Sequence, residues 1–145
     1  MKFPVPAERL IPHRLPMRLI ETLESCDGET GVVRVRSDFG NPFIEGDGTL
    51  AAPALLELLA QSYAAVQGYA DCCAGEPMRR GYLVGARRVE FFHAAKAKDS
   101  LKVEVHAVGS FQGFVVVEGK VLRDGVLLAK GSFKLWIVPN ESLRG

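Results

Sequence analysis

The sequence has few of the features that stabilise secreted proteins or place proteins in membranes. Its 145 residues include only three cysteines, Cys26, Cys72 and Cys73. Their odd number and the absence of CxxC spacing argue against a disulfide framework. No stretch approaches the roughly 20 apolar residues that a membrane-spanning helix needs. The proline-rich N-terminus also lacks the apolar core of a signal peptide. We therefore predict a cytoplasmic protein in a reducing compartment, without a membrane span.

The sequence carries almost no net charge, only +1 at pH 7, which is too little to indicate a protein that binds nucleic acid. The charges are unevenly spaced. No Lys or Arg lies between Arg36 and Arg79, whereas Arg79 to Lys102 contains seven basic and two acidic residues. Phe91 and Phe92, within this basic segment, fall where a hydrophobic core is expected, which again argues against nucleic acid. The basic segment is either a solvated strand edge, where charge prevents aggregation, or a docking surface for an acidic protein.

Hydrophobic periodicity predicts two strands, one long helix and then a run of further strands. The helix is predicted at Ala51–Ala70, a segment rich in Ala and Leu. The strands are predicted at residues 19–25, Thr30–Ser37, Gly81–Phe92, Leu101–Val108, Phe114–Leu122 and Val126–Val138. Asp124-Gly125 is a typical hairpin turn between the last two strands. This order, without a repeat or a linker, predicts one α+β domain over residues 1–145.

Glu57 is the only charged residue between Thr49 and Ala70, and so the only charge on the predicted helix. At 3.6 residues per turn it lies opposite the apolar face that contains Leu59, among small or amide-bearing residues such as Gln61. One interpretation is an ordinary solvated helix face with a surface glutamate. The other is a functional site, because solvated faces usually carry several charges and small residues let a ligand approach closely. A partly buried acid without a local cation would suit acid–base chemistry.

Three segments of the sequence resemble, in order, motifs of bacterial 3-hydroxyacyl-[acyl-carrier-protein] dehydratases. Ile11–Met17 (IPHRLPM) resembles their LPHRxPF segment. Asn41-Pro42-Phe43 followed by Leu55–Gln61 (LLELLAQ) is similar to their NxPFF and LxxExxAQ motifs, and Gly81–Phe91 resembles their strand beginning YLxGxxxxxF. The resemblance implies the hotdog fold, in which a curved antiparallel sheet wraps one long central helix. It also implies a homodimer, or a heterodimer with another hotdog subunit, with acyl-thioester sites between the subunits and with no cofactor or metal.

In those dehydratases a glutamate of the central helix works with a histidine from the preceding loop of the other subunit, and a backbone N–H near the helix start binds the thioester carbonyl. The resemblance assigns the glutamate to Glu57 and the backbone donor to Ala52, with Gln61 beside the substrate. The histidine is missing, because the shorter loop Gly46–Ala52 has Asp47 nearest its position. Such a loop looks more like that of divergent dehydratase-like proteins associated with aryl polyene gene clusters.

Three side chains are candidates to replace the missing histidine. Asp47 is either a base that pairs with Glu57 or a turn-forming loop residue. His13 lies in a segment that is structural in the resembled family, and His93 ends a strand in a basic, aromatic setting. His106 alternates with charged residues on a polar strand face, which indicates simple exposure. Asp47, His13 and His93 therefore stand beside Glu57 as candidate catalytic residues.

The resemblance favours a lyase that eliminates water from a β-hydroxyacyl group carried as a thioester. Two alternatives stay open: a thioesterase that uses the same helix carboxylate, and a non-catalytic subunit that binds acyl chains or completes the site of a partner. The predicted substrate carrier is an acyl carrier protein or coenzyme A. Arg87 and Arg88 are the candidate residues for binding an acidic carrier protein and the phosphate of its pantetheine arm.

Overall fold

The computed structural model describes residues 2–36 and 42–138. These residues form one α-helix and seven strands, with a short 3-10 helix at Ala7–Arg9. The elements, in chain order, are β1 (Val5–Pro6), β2 (Thr22–Asp27), β3 (Thr30–Arg36), α1 (Ala52–Cys73), β4 (Gly81–Phe91), β5 (Ser100–Phe111), β6 (Phe114–Arg123) and β7 (Val126–Ile137). Ser37, predicted to end the second strand, and Asn41 of the Asn-Pro-Phe motif lie outside the described residues.

The strands form one antiparallel sheet in the order β1-β2-β3-β5-β6-β7-β4. Although β4 is the first strand after the helix, it lies at the edge of the sheet and pairs only with β7 among the described residues. Buried apolar side chains alternate along β5, as Val103 and Val105 do, and pack toward α1. Leu55, Leu58 and Leu59 bury the facing side of the helix. The sheet thus wraps the helix.

The predicted elements are present with different ends, and β1 is a strand additional to the prediction. α1 continues beyond its predicted end to Cys73, and β5 continues to Phe111 through a bulge. β2 begins at Thr22 and not at residue 19. The reason is that the backbone N–H of Leu19 donates to the side chain of Gln61 on the helix, at 2.8 Å, instead of to a neighbouring strand.

The prediction that Phe91 and Phe92 belong to the core is wrong. They are 48% and 44% exposed. β4 is an edge strand, and a bulge after Arg87 shifts its pairing with β7, so these apolar residues face solvent. Other apolar residues of the strand are exposed as well, namely Tyr82, Leu83 and Val84. β4 therefore presents an apolar edge.

Within the described ranges, no helix combines the length and the apolar character needed to cross a membrane.

The cysteines are free thiols: Cys26 is half-buried, and Cys72 and Cys73 are exposed. Burial raises the pKa of the Cys26 thiol. The predicted cytoplasmic location stays a prediction.

A close contact between α1 and the N-terminal segment fixes the path of the chain before β2. The carbonyl group of Leu10 lies where a β-carbon on Gly68 would be. Leu10 and the following Ile11 are both buried. Because Gly68 has no side chain, the segment that leads to His13 can cross directly over the helix.

We expect Gly68→Ala to lower the free energy of unfolding by about 1–3 kcal/mol, because the added methyl group would displace the Leu10 backbone. Thermal unfolding followed by circular dichroism measures the change. Gly109→Ala is the matched control, since a β-carbon at Gly109 would meet nothing within 4 Å. Equal melting temperatures for the two variants would contradict a tight crossing at Gly68.

Candidate active site

The candidate site is a cavity of about 220 Å³ between α1 and the β4 edge of the sheet. The helix lines it with Glu57 and, over the following turns, with Ala60, Gln61, Ala64 and Gln67. The apolar part of the opposite wall comes from β4 and β7, through Leu83, Leu135 and Ile137. The Glu57 face of the helix therefore borders a partly open cavity, not a fully solvated surface.

His13 reaches the same cavity. Its Nε2 atom lies 3.9 Å from Oε1 of Glu57, and the two side chains are 31% and 35% exposed. This separation is longer than a hydrogen bond, but it is short enough for attraction between a protonated imidazole and a carboxylate. The Nδ1 atom of His13 is buried without a hydrogen-bond partner among the described residues. The structure thus brings two of the predicted catalytic residues together within one chain.

Gln61 positions both of these residues. Its side-chain oxygen accepts the N–H of Leu19 at 2.8 Å. Its Nε2 donates to the carbonyl of Met17 at 2.9 Å and to Oε1 of Glu57 at 3.0 Å. Gln61 is buried, so these bonds form in a setting where an unmet hydrogen bond is costly. Gln61 lines the cavity, and its amide anchors the histidine-bearing segment to the helix. Its contact with substrate stays a prediction.

Asp47 lies in an exposed turn and does not line the cavity. Its Oδ1 accepts the backbone N–H of Thr49 at 2.9 Å, which is an Asx turn. This hydrogen bond holds the pKa of the Asp47 carboxyl below its usual value. The sequence leaves two roles open for Asp47, a catalytic base and a turn-forming residue, and the geometry favours the second. The catalytic role stays a prediction.

The remaining predicted residues lie outside the cavity. His93 follows the end of β4, is exposed, and donates its backbone N–H to Leu128. Arg87 and Arg88 are exposed on β4; Arg88 borders a larger groove of about 420 Å³ on the outer face of the sheet. Ala52 is the first residue of α1, where no side chain caps the helix. In the described parts of the chain, no three His, Cys, Asp or Glu side chains are grouped so that they could hold a metal ion.

Sequence reasoning missed a polar cluster at this cavity. Gln67 and Arg79 line it, and both donate hydrogen bonds to the buried Asp71. The spacing of Gln67 and Asp71, one helical turn apart, was the available signal. The predicted helix ends before Asp71 and Arg79 falls within the basic segment, so periodicity does not connect the two residues.

A family model for the ApeP-like proteins, described as ApeP dehydratase, matches residues 5–143. The chain belongs to the ApeP-like dehydratase family. Among its relatives, the 3-hydroxyacyl-[acyl-carrier-protein] dehydratase FabZ of Syntrophotalea carbinolica is 28% identical over 139 residues, covering 92% of each protein. The resemblance found in the three sequence motifs is confirmed, and so is a dehydratase-like function at the level of the family.

Solved structures share the fold. The dehydratase heterocomplex ApeI:P from Xenorhabdus doucetiae matches with a TM-score of 0.87 at 23% identity, over 97% of this chain and 95% of that chain. A hypothetical thioesterase with coenzyme A from Streptococcus pneumoniae matches with a TM-score of 0.62 at 17% identity, over 80% of this chain and 84% of that one. The predicted hotdog architecture of the ApeP-like chain is therefore confirmed.

Gln61→Ala should lower the free energy of unfolding by about 1–3 kcal/mol, because it leaves the buried N–H of Leu19 without its acceptor. Thermal unfolding measures the loss. Gln112→Ala is the matched control, since it removes the amide of an exposed glutamine. A Gln61 variant as stable as the Gln112 variant would mean that the amide does not anchor the N-terminal segment.

Proposed function

We propose that this chain is a 3-hydroxyacyl-thioester dehydratase that eliminates water from a β-hydroxyacyl group carried on an acyl carrier protein or on coenzyme A. The observation that carries the proposal is the approach of His13 Nε2 to 3.9 Å from Glu57 Oε1 at a cavity of about 220 Å³. Elimination of water needs a base for one proton and an acid for the departing hydroxyl. An imidazole beside a carboxyl group supplies both.

In the proposed reaction, His13 Nε2 accepts the proton from C2 of the substrate. The electrons of the C2–H bond form the C2=C3 double bond, the C3–O bond breaks, and the hydroxyl leaves as water with a proton from Glu57. The enzyme then holds a protonated His13 and an ionised Glu57. Transfer of that proton from His13 to Glu57 restores the starting state. Catalytic contacts are often long before substrate binds and tighten in the complex.

The thioester carbonyl also needs a donor, because negative charge builds up on its oxygen as the C2 proton leaves. The resemblance places this donor at the backbone N–H of Ala52. No capping side chain occupies the start of α1, so none competes there with a ligand for the backbone donors. We therefore propose that the backbone N–H of Ala52 donates a hydrogen bond to the thioester carbonyl oxygen.

The active unit, in this proposal, is a pair of hotdog subunits joined along β4. Within the described chain, β4 pairs only with β7 and exposes Tyr82, Leu83 and Val84. Tyr82 and Leu83 also line the cavity. A subunit on this edge would cover the apolar side chains and close the cavity over the acyl group. The likeness to a dehydratase heterocomplex supports a different hotdog subunit as the partner; a second copy of this chain is the other arrangement.

A subunit that depends on its partner for catalysis is the second candidate function. The loop Gly46–Ala52 has no histidine, and the carboxylate of Asp47 is engaged in its own turn. In this alternative the chain binds the acyl group while the partner supplies the acid and the base. A thioesterase would release a free acid in place of an enoyl thioester, and mass spectrometry of the product separates these two reactions.

Glu57→Gln should lower kcat for dehydration by about 10²–10⁴-fold with little change in melting temperature, because the amide keeps the shape of the side chain but cannot donate an acidic proton. His13→Asn should lower kcat to a similar extent. The enoyl thioester product is quantified by mass spectrometry. His106→Asn is the control, since His106 is exposed on the outer face of the sheet, where its Nδ1 atom is hydrogen-bonded to the hydroxyl of Thr30.

The same assay is run with this chain alone and mixed with a second hotdog subunit that carries a loop histidine. Turnover by this chain alone that is lost in Glu57→Gln supports the dehydratase assignment. Turnover that appears only in the mixture and survives Glu57→Gln would assign the chemistry to the partner.

Replacing Arg87 and Arg88 together with Glu should weaken binding to an acyl carrier protein by about tenfold at low ionic strength, and salt should reduce the difference, because exposed charges are screened. Calorimetric titration at several salt concentrations measures both effects. Arg9→Glu combined with Arg36→Glu reverses two exposed charges outside the groove that Arg88 borders and serves as the control. An unchanged affinity for the carrier protein would mean that the two arginines only solvate the edge strand and do not bind the carrier.

A further inference from the structure

An aromatic row crosses four strands on the outer face of the sheet. Its members, on β5, β6, β7 and β4 in turn, are Phe111, Phe114, Trp136 and Tyr82. Each member pairs directly with the next, and directly paired residues point to the same face of a sheet. Leu135, next to Trp136 on β7, is buried and lines the Glu57 cavity. The aromatic row therefore faces away from the helix.

Both ends of the aromatic row are exposed. Phe111 is 72% exposed beside the β5–β6 turn, and Tyr82 is 53% exposed on β4. Phe114 and Trp136, between them, are half-buried because they pack on each other, with ring centroids 4.8 Å apart. A subunit joined along β4 would extend the sheet sideways and leave the outer faces of β5, β6 and β7 uncovered. The proposed pairing of subunits thus leaves most of the aromatic row open.

The turn beside the aromatic row is held in one conformation. Gln112 and Gly113 have φ angles of 49° and 86°, as in the two-residue turns that join antiparallel strands tightly. The ring of Trp136 lies where a β-carbon on Gly113 would be, so it covers the turn. This apolar surface is therefore formed before a partner binds, and little conformational entropy is lost on binding.

The charges beside the aromatic row are positive. Nζ of Lys134 lies 4.4 Å from the centre of the Phe114 ring, and Arg80, just before β4, is exposed. The neighbouring row of paired residues on the same four strands and the same face contains no Asp or Glu: it consists of Gly109, Val116, Lys134 and Gly85. This part of the surface suits a partner that is both apolar and anionic.

We propose that the aromatic row, with Lys134 and Arg80, binds the surface of a membrane that contains anionic lipids. Trp and Tyr rings have an apolar body and a polar edge, which suits the boundary between lipid chains and headgroups. Lys and Arg attract the lipid phosphates while their carbon stems lie along apolar groups. Phe111 projects beside a turn, where a protein partner would need a matching pocket but lipid chains close around the ring. Such binding is peripheral and needs no spanning helix.

Trp136 is the only tryptophan in the sequence, so its fluorescence reports on this surface directly. The purified full chain is titrated with vesicles of phosphatidylcholine alone and of phosphatidylcholine mixed with an equal part of phosphatidylglycerol. With the mixed vesicles we expect the emission to shift to shorter wavelength and brominated lipid to quench it, because the indole ring leaves water. Binding should be weaker to phosphatidylcholine alone and at high salt, which screens the charges.

Two variants connect vesicle binding to these residues. Phe111→Ser should weaken binding to the mixed vesicles about tenfold, as the loss of one buried phenyl ring allows. Arg80→Gln combined with Lys134→Gln should weaken it about 30-fold, as the loss of two positive charges near an anionic surface allows. Melting temperatures show that each variant is folded.

Each variant has a matched control outside the aromatic row. Phe91→Ser removes another exposed ring, 48% exposed at the other end of β4. Arg9→Gln combined with Arg36→Gln removes two exposed positive charges and lowers the net charge equally. Both controls should bind the mixed vesicles as the unchanged chain does.

Failure of the unchanged chain to bind mixed vesicles would overturn the inference. So would binding that Phe111→Ser and the double charge variant leave intact, or that the controls lose to the same extent. Self-association of the chain, or binding to an acyl carrier protein, that depends on Phe111 without any vesicle binding would assign the aromatic row to a protein contact and would also overturn it. None of these outcomes depends on dehydratase turnover.

Discussion

The buried amide of Gln61 holds the candidate active site together. It joins α1 to a segment 44 positions earlier in the chain through its bond to the Met17 carbonyl, and it accepts the N–H of Leu19. Each of these groups would be desolvated without compensation if the segment moved, and this penalty fixes the segment on the helix. His13 lies just before the anchored residues. Its place beside Glu57 therefore depends on the same amide that orients the Glu57 carboxylate.

The order of the strands determines where the cavity opens. β4 follows α1 in the sequence but takes an edge of the sheet that the described residues form, so one wall of the cavity is this edge strand and the other is the helix. The connection between the two elements is tied back to the helix by Asp71, which also accepts the backbone N–H of Arg79 at 3.2 Å. One buried carboxylate thus sets both the path of the chain into β4 and the polar part of the cavity.

Much of the fold could be predicted from the sequence, because α1 and the central strands have strong local patterns. Glu57 could be singled out for a related reason, as a lone charge on an Ala- and Leu-rich helix. The position of His13 could not, since it results from a contact across 44 positions. Phe91 and Phe92 were misplaced because hydrophobicity does not separate a core strand from an exposed apolar edge. The Asp71–Arg79 pair depends on a turn after the helix that periodicity does not describe.

His13 and Glu57 belong to one polypeptide, and this affects how paired subunits of such a family can diverge. When the two halves of a catalytic pair come from different chains, a mutation in either chain disables the site they share. A pair encoded by one gene is inherited as a unit, and duplication of that gene copies it whole. One of the two copies is then free to lose its own pair and to specialise in recognising substrate or carrier, while the other retains turnover.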